Sequence, residues 1–144
     1  MRVSGILASK GATVATIAPS ASVADAADEL RLRGVGALVV SGDGRAIEGI
    51  VSERDLVRRL AERGDQVLGE TVEDIMTSEV RTCSPDDTAE DLMRLMTEHR
   101  IRHLPVTTDG VLSGIVSIGD VVKWRVTELE DETRQLHDYI TTGR

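Results

Sequence analysis

With 144 residues and a formal net charge of −8, the chain is long enough for one compact domain or for two small repeats sharing a core. Its isoelectric point near 4.9 opposes generic attraction to a nucleic-acid backbone or an anionic membrane. Trp124 and Tyr139 are its only aromatic residues, too few for the stacking platforms of single-stranded nucleic-acid binders, and the lone Cys83 excludes an internal disulfide or a thiolate zinc cluster. No apolar run approaches the roughly 18 residues of a membrane span, and the N-terminus carries no charged-then-apolar leader, so a cytoplasmic protein is expected.

In chain order, VSGIL at 3–7 leads into a β-prone stretch around Val14 and Thr16, then Pro19 and a helix whose apolar positions Val23, Ala26, Ala27 and Leu30 follow the i, i+3, i+4, i+7 spacing of one buried stripe. GALVVS at 36–41 reads as a strand, Asp43-Gly44 as a hairpin turn, and GIVSERD at 49–55 as a second strand running into the helix LVRRLAERG. Residues 64–71 have turn composition and read as a linker. The order then repeats. VEDIM at 72–76 resembles VSGIL, and Val80, Thr82, Pro85 and Thr88 match Val14, Thr16, Pro19 and Ser22 at a shift of 66. Ala89, Leu92, Met93 and Met96 repeat the helical stripe, HLPVT at 103–107 the strand, Asp109-Gly110 the turn and GIVSIGD at 114–120 the strand-to-helix motif, now at a shift of 65.

The fold expected is therefore α/β (α+β): two pseudo-symmetric βαββα repeats packed through their small sheets. The divisions are 1–63 for the first repeat, 64–71 for the linker, 72–126 for the second repeat and 127–144 for a C-terminal helical extension. In that extension Val122, Val126, Leu129, Thr133, Leu136 and Ile140 step by four and three, the spacing of a coiled-coil seam. The helix packs on its own module or is shared across a dimer.

The repeated GIVS-x-x-D carries the chemistry. A strand feeding a helix presents unpaired N–H groups and the positive end of the helix dipole, which suit a phosphate. Ser52 and Ser117 add a hydroxyl there, and Asp55 and Asp120 each offer two acceptor oxygens to a vicinal diol such as that of ribose. The same Ser-x-x-Asp spacing is a capping box that only satisfies the first N–H groups of the helix, a device that recurs at Ser22/Asp25, Thr71/Asp74 and Thr88/Asp91. Both readings stand at this point.

The ordered set of Pro-led helix, LPV strand at 104–106 and paired GIVSxxD resembles tandem cystathionine-β-synthase (CBS) domains, from about Val3 to Trp124. The resemblance implies a stand-alone, non-catalytic regulatory pair that binds an adenosine nucleotide (AMP, ATP, NAD or similar) between repeats, dimerises with a second copy, and signals by conformational shift to an effector protein of unknown identity. It implies one pocket of Thr82, Arg102, His103, Ser117 and Asp120, and another of Thr16, Ser52, Arg54 and Asp55. The first repeat has Gly36 and Ala37 where the second has Arg102 and His103, so the pocket around Asp55 is expected to be the poorer. A module that only docks proteins is the rival. Phosphate-loop, dinucleotide, nucleophile-elbow and HExxH motifs are absent, which leaves catalytic readings without parts, and His99 with His103 has no third partner for a metal.

Overall fold

The computed structural model describes residues 1–142, so the last two residues of the 127–144 extension lie outside the described residues. The elements run α1 (Val3–Lys10), β1 (Thr16–Ile17), α2 (Val23–Arg33), β2 (Ala37–Val40), β3 (Gly49–Ser52), α3 (Glu53–Arg63), a 3-10 helix (Gly64–Gly69), α4 (Val72–Ile75), α5 (Ala89–His99), β4 (His103–Thr108), β5 (Val111–Ser117) and α6 (Ile118–Thr142). The first sheet has the order β1-β2-β3, with β2 parallel to β1 and antiparallel to β3. The second is the antiparallel pair β4-β5, and its counterpart of β1 shrinks to a single parallel bridge from Cys83 to Val106. Among the described residues the second repeat is thus βαββα only in outline.

The helix starts behave as their sequences require. Ser22 and Thr88 cap α2 and α5 through their side chains. Both helices end on a left-handed residue at the same repeat position, Gly34 at φ 62° and Arg100 at φ 53°. The Asp-Gly turns part company. Asp109 and Gly110 both have positive φ and join β4 to β5 directly, the geometry of a type I′ hairpin. In the first repeat eight residues separate the strands, and Asp43 Oδ1 instead accepts the N–H groups of Arg45 and Ala46 at 2.8 and 2.9 Å.

Two apolar cores result, and each borrows from the other repeat. Val3, Ile6 and Leu7 of α1 are buried with Leu92, Met96, Leu104, Val106, Val116 and Val121 of the second repeat. Val72 and Ile75 of α4, with Val67 of the 3-10 helix, are buried with Val23, Leu30, Leu38 and Val51 of the first. The backbone follows the same exchange. Val3 and Ser4 donate to the carbonyls of Asp87 and Pro85, and Val72 and Glu73 donate to those of Ala21 and Pro19. A division at 64–71 therefore separates the repeats along the chain but not in space. The stretch read as a linker is folded because Val67, 1% exposed, closes the first core.

Gly114 and Gly49 let the lead-ins approach. A Cβ at Gly114 would lie 2.8 Å from Leu7 Cδ1, and one at Gly49 would meet the Met76 side chain and, at 2.9 Å, the Thr77 carbonyl oxygen. Leu7 and Met76 are the last residues of the matched VSGIL and VEDIM segments. The glycine of GIVSxxD is thus explained by packing on the swapped lead-in.

Candidate functional site

Because β3 runs straight into α3, Ser52 is both the end of a strand and the helix N-cap, with φ −120° and ψ 166°. Its hydroxyl accepts from the Asp55 N–H at 3.3 Å, while Asp55 Oδ2 accepts from the Ser52 N–H at 2.9 Å and the Ser52 hydroxyl at 3.0 Å. Ser117 and Asp120 repeat this at the start of α6, with the Ser117 N–H to Asp120 Oδ2 at 2.9 Å and the Asp120 N–H to Ser117 Oγ at 3.2 Å. The capping reading therefore accounts for Oδ2 of each aspartate. Neither Oδ1 accepts a hydrogen bond among the described residues.

The two carboxylates differ in what faces them. Lys10 Nζ donates to Asp120 Oδ2 at 2.6 Å and to the Ile115 carbonyl at 2.9 Å. Burial by itself would raise the Asp120 carboxyl, but the hydrogen bond and charge of Lys10 and the Ser117 donors hold it below the usual carboxylate range. Asp120 lines a recess of about 260 Å³ with Ser9, Lys10, Lys123, Trp124 and Thr127.

Asp55 instead stands on the wall of a cleft of about 520 Å³ between the two repeats. Ser52, Arg54 and Arg58 contribute from the β3–α3 junction, Arg81 from the segment before Cys83, and Arg100, Arg102 and His103 from the passage between α5 and β4. Five arginines and three carboxylates (Glu53, Asp55 and Glu79) line it, so a chain of net charge −8 presents a locally cationic concavity. Arg54 Nη1 donates to the Arg100 carbonyl at 3.4 Å and ties the two walls together. None of the five arginines makes an ion pair among the described residues.

The structure places the expected residues as follows. Arg102 and His103 line the cleft of Ser52, Arg54 and Asp55, while His103 also pairs with Ser117 across the β4-β5 ladder and feels the charge of Asp120, so the cleft around Asp55 gathers more donors than its own repeat supplies. The reason is the way the repeats face each other: the start of β4 meets the start of β2, and the His103 ring lies over Gly36, where a Cβ would come within 3.1 Å of Cε1. The donors missing from the first repeat are supplied by the second. Burial holds His103 below the ordinary imidazole value, with Glu53 and Asp120 pulling the other way, so it is neutral near pH 7.

The remaining expected residues are dispersed. Thr16 lines a separate recess of about 240 Å³ with Ala12, Val14, Gly44, Leu112 and Ser113, while Thr82 is exposed and, like Ser117, lines none of these three cavities. Arg58, Arg81 and Arg100 escaped the sequence reading. Arg58 was accessible to it, since it lies one helical turn after Arg54. Lys10 carried no signal, being 110 residues from its partner Asp120. Among the described residues no three His, Cys, Asp or Glu side chains gather as a metal set, and no helix is long and apolar enough to cross a membrane.

The CBS-domain family model matches residues 8–62 and 72–127. The chain is 41% identical over 126 residues to the mitochondrial CBS domain-containing protein CBSX3 of Arabidopsis thaliana, an alignment covering 85% of this chain and 61% of that protein. The fold superposes on the CBS-domain protein ATU1752 of Agrobacterium tumefaciens with a TM-score of 0.84 and 43% identity, covering 87% of this chain and 99% of that one. It also superposes on PAE2072 of Pyrobaculum aerophilum, solved in complex with AMP, with a TM-score of 0.79 and 29% identity over 92% and 99% of the two chains.

Proposed function

The chain belongs to the CBS-domain family, with two such domains in tandem, and from that premise we propose that it is a non-catalytic regulatory module whose inter-repeat cleft binds an adenosine nucleotide. The observation that carries the reading is a cleft of about 520 Å³ in which a carboxylate at a helix start stands opposite unpaired guanidinium groups. Oδ1 of Asp55, left open by the cap, accepts the ribose hydroxyls. The N-terminus of α3, with Ser52 and Arg54, receives phosphate, and Arg102 and His103 complete the opposite wall. The complex of the related PAE2072 with AMP supports an adenosyl ligand. The recess at Asp120, whose carboxylate caps α6 with Ser117, is a secondary site that opens when Lys10 gives up its ion pair.

Occupation of a cleft walled by both repeats favours one packing of them over another, and an effector protein reads that difference. The working form is a homodimer joined through α6. A protein-docking module without a small ligand is favoured by one observation, that Oδ2 of both aspartates is already spent on capping.

Calorimetry with AMP, ADP, ATP, NAD and S-adenosylmethionine tests the proposal. At least one should bind at one site per chain, and Asp55→Asn, which keeps an acceptor for the cap, should weaken it about tenfold or more without lowering thermal stability. The ligand should also be recovered unchanged after long incubation. Silence with all five ligands would leave the docking module standing, and product formation would overturn the non-catalytic reading.

A further inference from the structure

We infer that the cleft selects nucleotides carrying two or three phosphates over a monophosphate and over a cationic adenosyl compound. The inference rests on the adenosine reading above and concerns what lies beyond the sugar.

Lys10 and the arginines at 2, 31, 33, 59, 63, 125 and 134 each make an ion pair within the chain, while Arg45, Arg94 and Lys123, which stand apart from the cleft, make none among the described residues. Acidic residues outnumber basic ones by 25 to 17, so partners are in excess. Even so, Arg54, Arg58, Arg81, Arg100 and Arg102 converge on one concavity without a carboxylate partner among the described residues, although Glu53, Asp55 and Glu79 line the same cleft. Converging like charges repel, and a polyanion in the cleft relieves that repulsion. Arg100 adds an independent sign. It holds the left-handed C-cap at φ 53°, where the first repeat uses Gly34, so a guanidinium stands at a backbone position that favours glycine.

The number and spread of the arginines set the charge of the ligand. A guanidinium is a two-pronged donor. One terminal phosphate has three oxygens, too few for five such forks that rise from three separate segments. A chain of phosphates running from Asp55 across the cleft offers each segment its own oxygens. A sulfonium ligand would face the same guanidinium groups with a positive charge.

Affinities for adenosine, AMP, ADP, ATP and S-adenosylmethionine, measured by calorimetry without divalent cation, test this. Each added phosphate should tighten binding by about tenfold, and added salt should weaken ATP more steeply than adenosine. ATP and AMP within about threefold of each other, or S-adenosylmethionine tighter than ADP, would overturn the inference while leaving an adenosine site intact; failure of every compound to bind would instead bring down the underlying reading. The double variant Arg58→Ala, Arg81→Ala removes exposed side chains that make no hydrogen bond within the described residues and relieves part of the repulsion, so its melting temperature should not fall. It should lose about tenfold or more for ATP and less than about threefold for AMP, and equal losses for the two would count against the inference. Inorganic tripolyphosphate should displace ATP only at higher concentration. If it binds as tightly as ATP, the cleft recognises a polyphosphate without its nucleoside and the inference fails.

Discussion

Gly49 and Gly114 sit in the most informative motif of the sequence, yet the space beside them is filled by protein. Gly114→Ala would push a methyl group against Leu7 at 2.8 Å, and Gly49→Ala would press on the Thr77 carbonyl at 2.9 Å as well as on Met76. Overpacking of this kind costs about 1–3 kcal/mol, and Gly49→Ala should be the worse because a backbone atom yields less than a leucine methyl. Denaturant titration of both variants checks the order. Cys83 is 5% exposed, and burial, with the charge of Asp87 second, pushes its thiol up to about 12. It should resist a thiol reagent in the native protein at pH 8 and react at once in denaturant; fast native labelling would contradict the burial. For Asp120, whose folded value is depressed, the sign is that of a carboxylate: the Lys10 pair contributes stability above the unfolded value and loses it as pH falls through the folded one. Thermal melts should therefore show a drop below about pH 4 that is smaller in Lys10→Met.

At the scale of elements, the notable construction is the exchange of lead-ins. Ile6 belongs to the first repeat by sequence but is 1% exposed in the core of the second. Ile6→Ala should cost about 2–5 kcal/mol, and fragments 1–63 and 64–144 should each fail to unfold cooperatively alone yet recover a cooperative transition when mixed. A stable isolated 1–63 fragment would show that the borrowed Val67, Val72 and Ile75 are dispensable. Much of this level was legible. The phase of α2 and α5, their caps and the Asp109-Gly110 turn follow from local spacing and from backbone preferences that need no distant partner. The exchange was not, since VSGIL and VEDIM read equally well packed on either repeat.

For the whole molecule, α6 leaves an apolar stripe uncovered: Val122, Val126, Leu129, Leu136 and Ile140 are 45–61% exposed. Their spacing is that of a two-helix seam, and in a parallel pair Arg125 of one copy faces Glu130 of the other, opposite in charge. The proposed homodimer should therefore have twice the chain mass by light scattering, and Leu129→Glu should return it to a folded monomer whose melting temperature is lower and no longer depends on protein concentration. A wild-type monomer at high concentration would remove that arrangement.

The two copies, their matched GIVSxxD motifs, the helical phases and the family resemblance were written into the chain itself, because each rests on spacing within a few residues or on repetition at a constant shift. Which residues share a cavity was decided only by tertiary structure. The facing of the repeats sets His103 over Gly36, delivers Arg102 to the cleft of Asp55, and sends Lys10 to Asp120. A linear pattern records which donors a chain owns. Only the packing of two near-equivalent halves determines which half uses them.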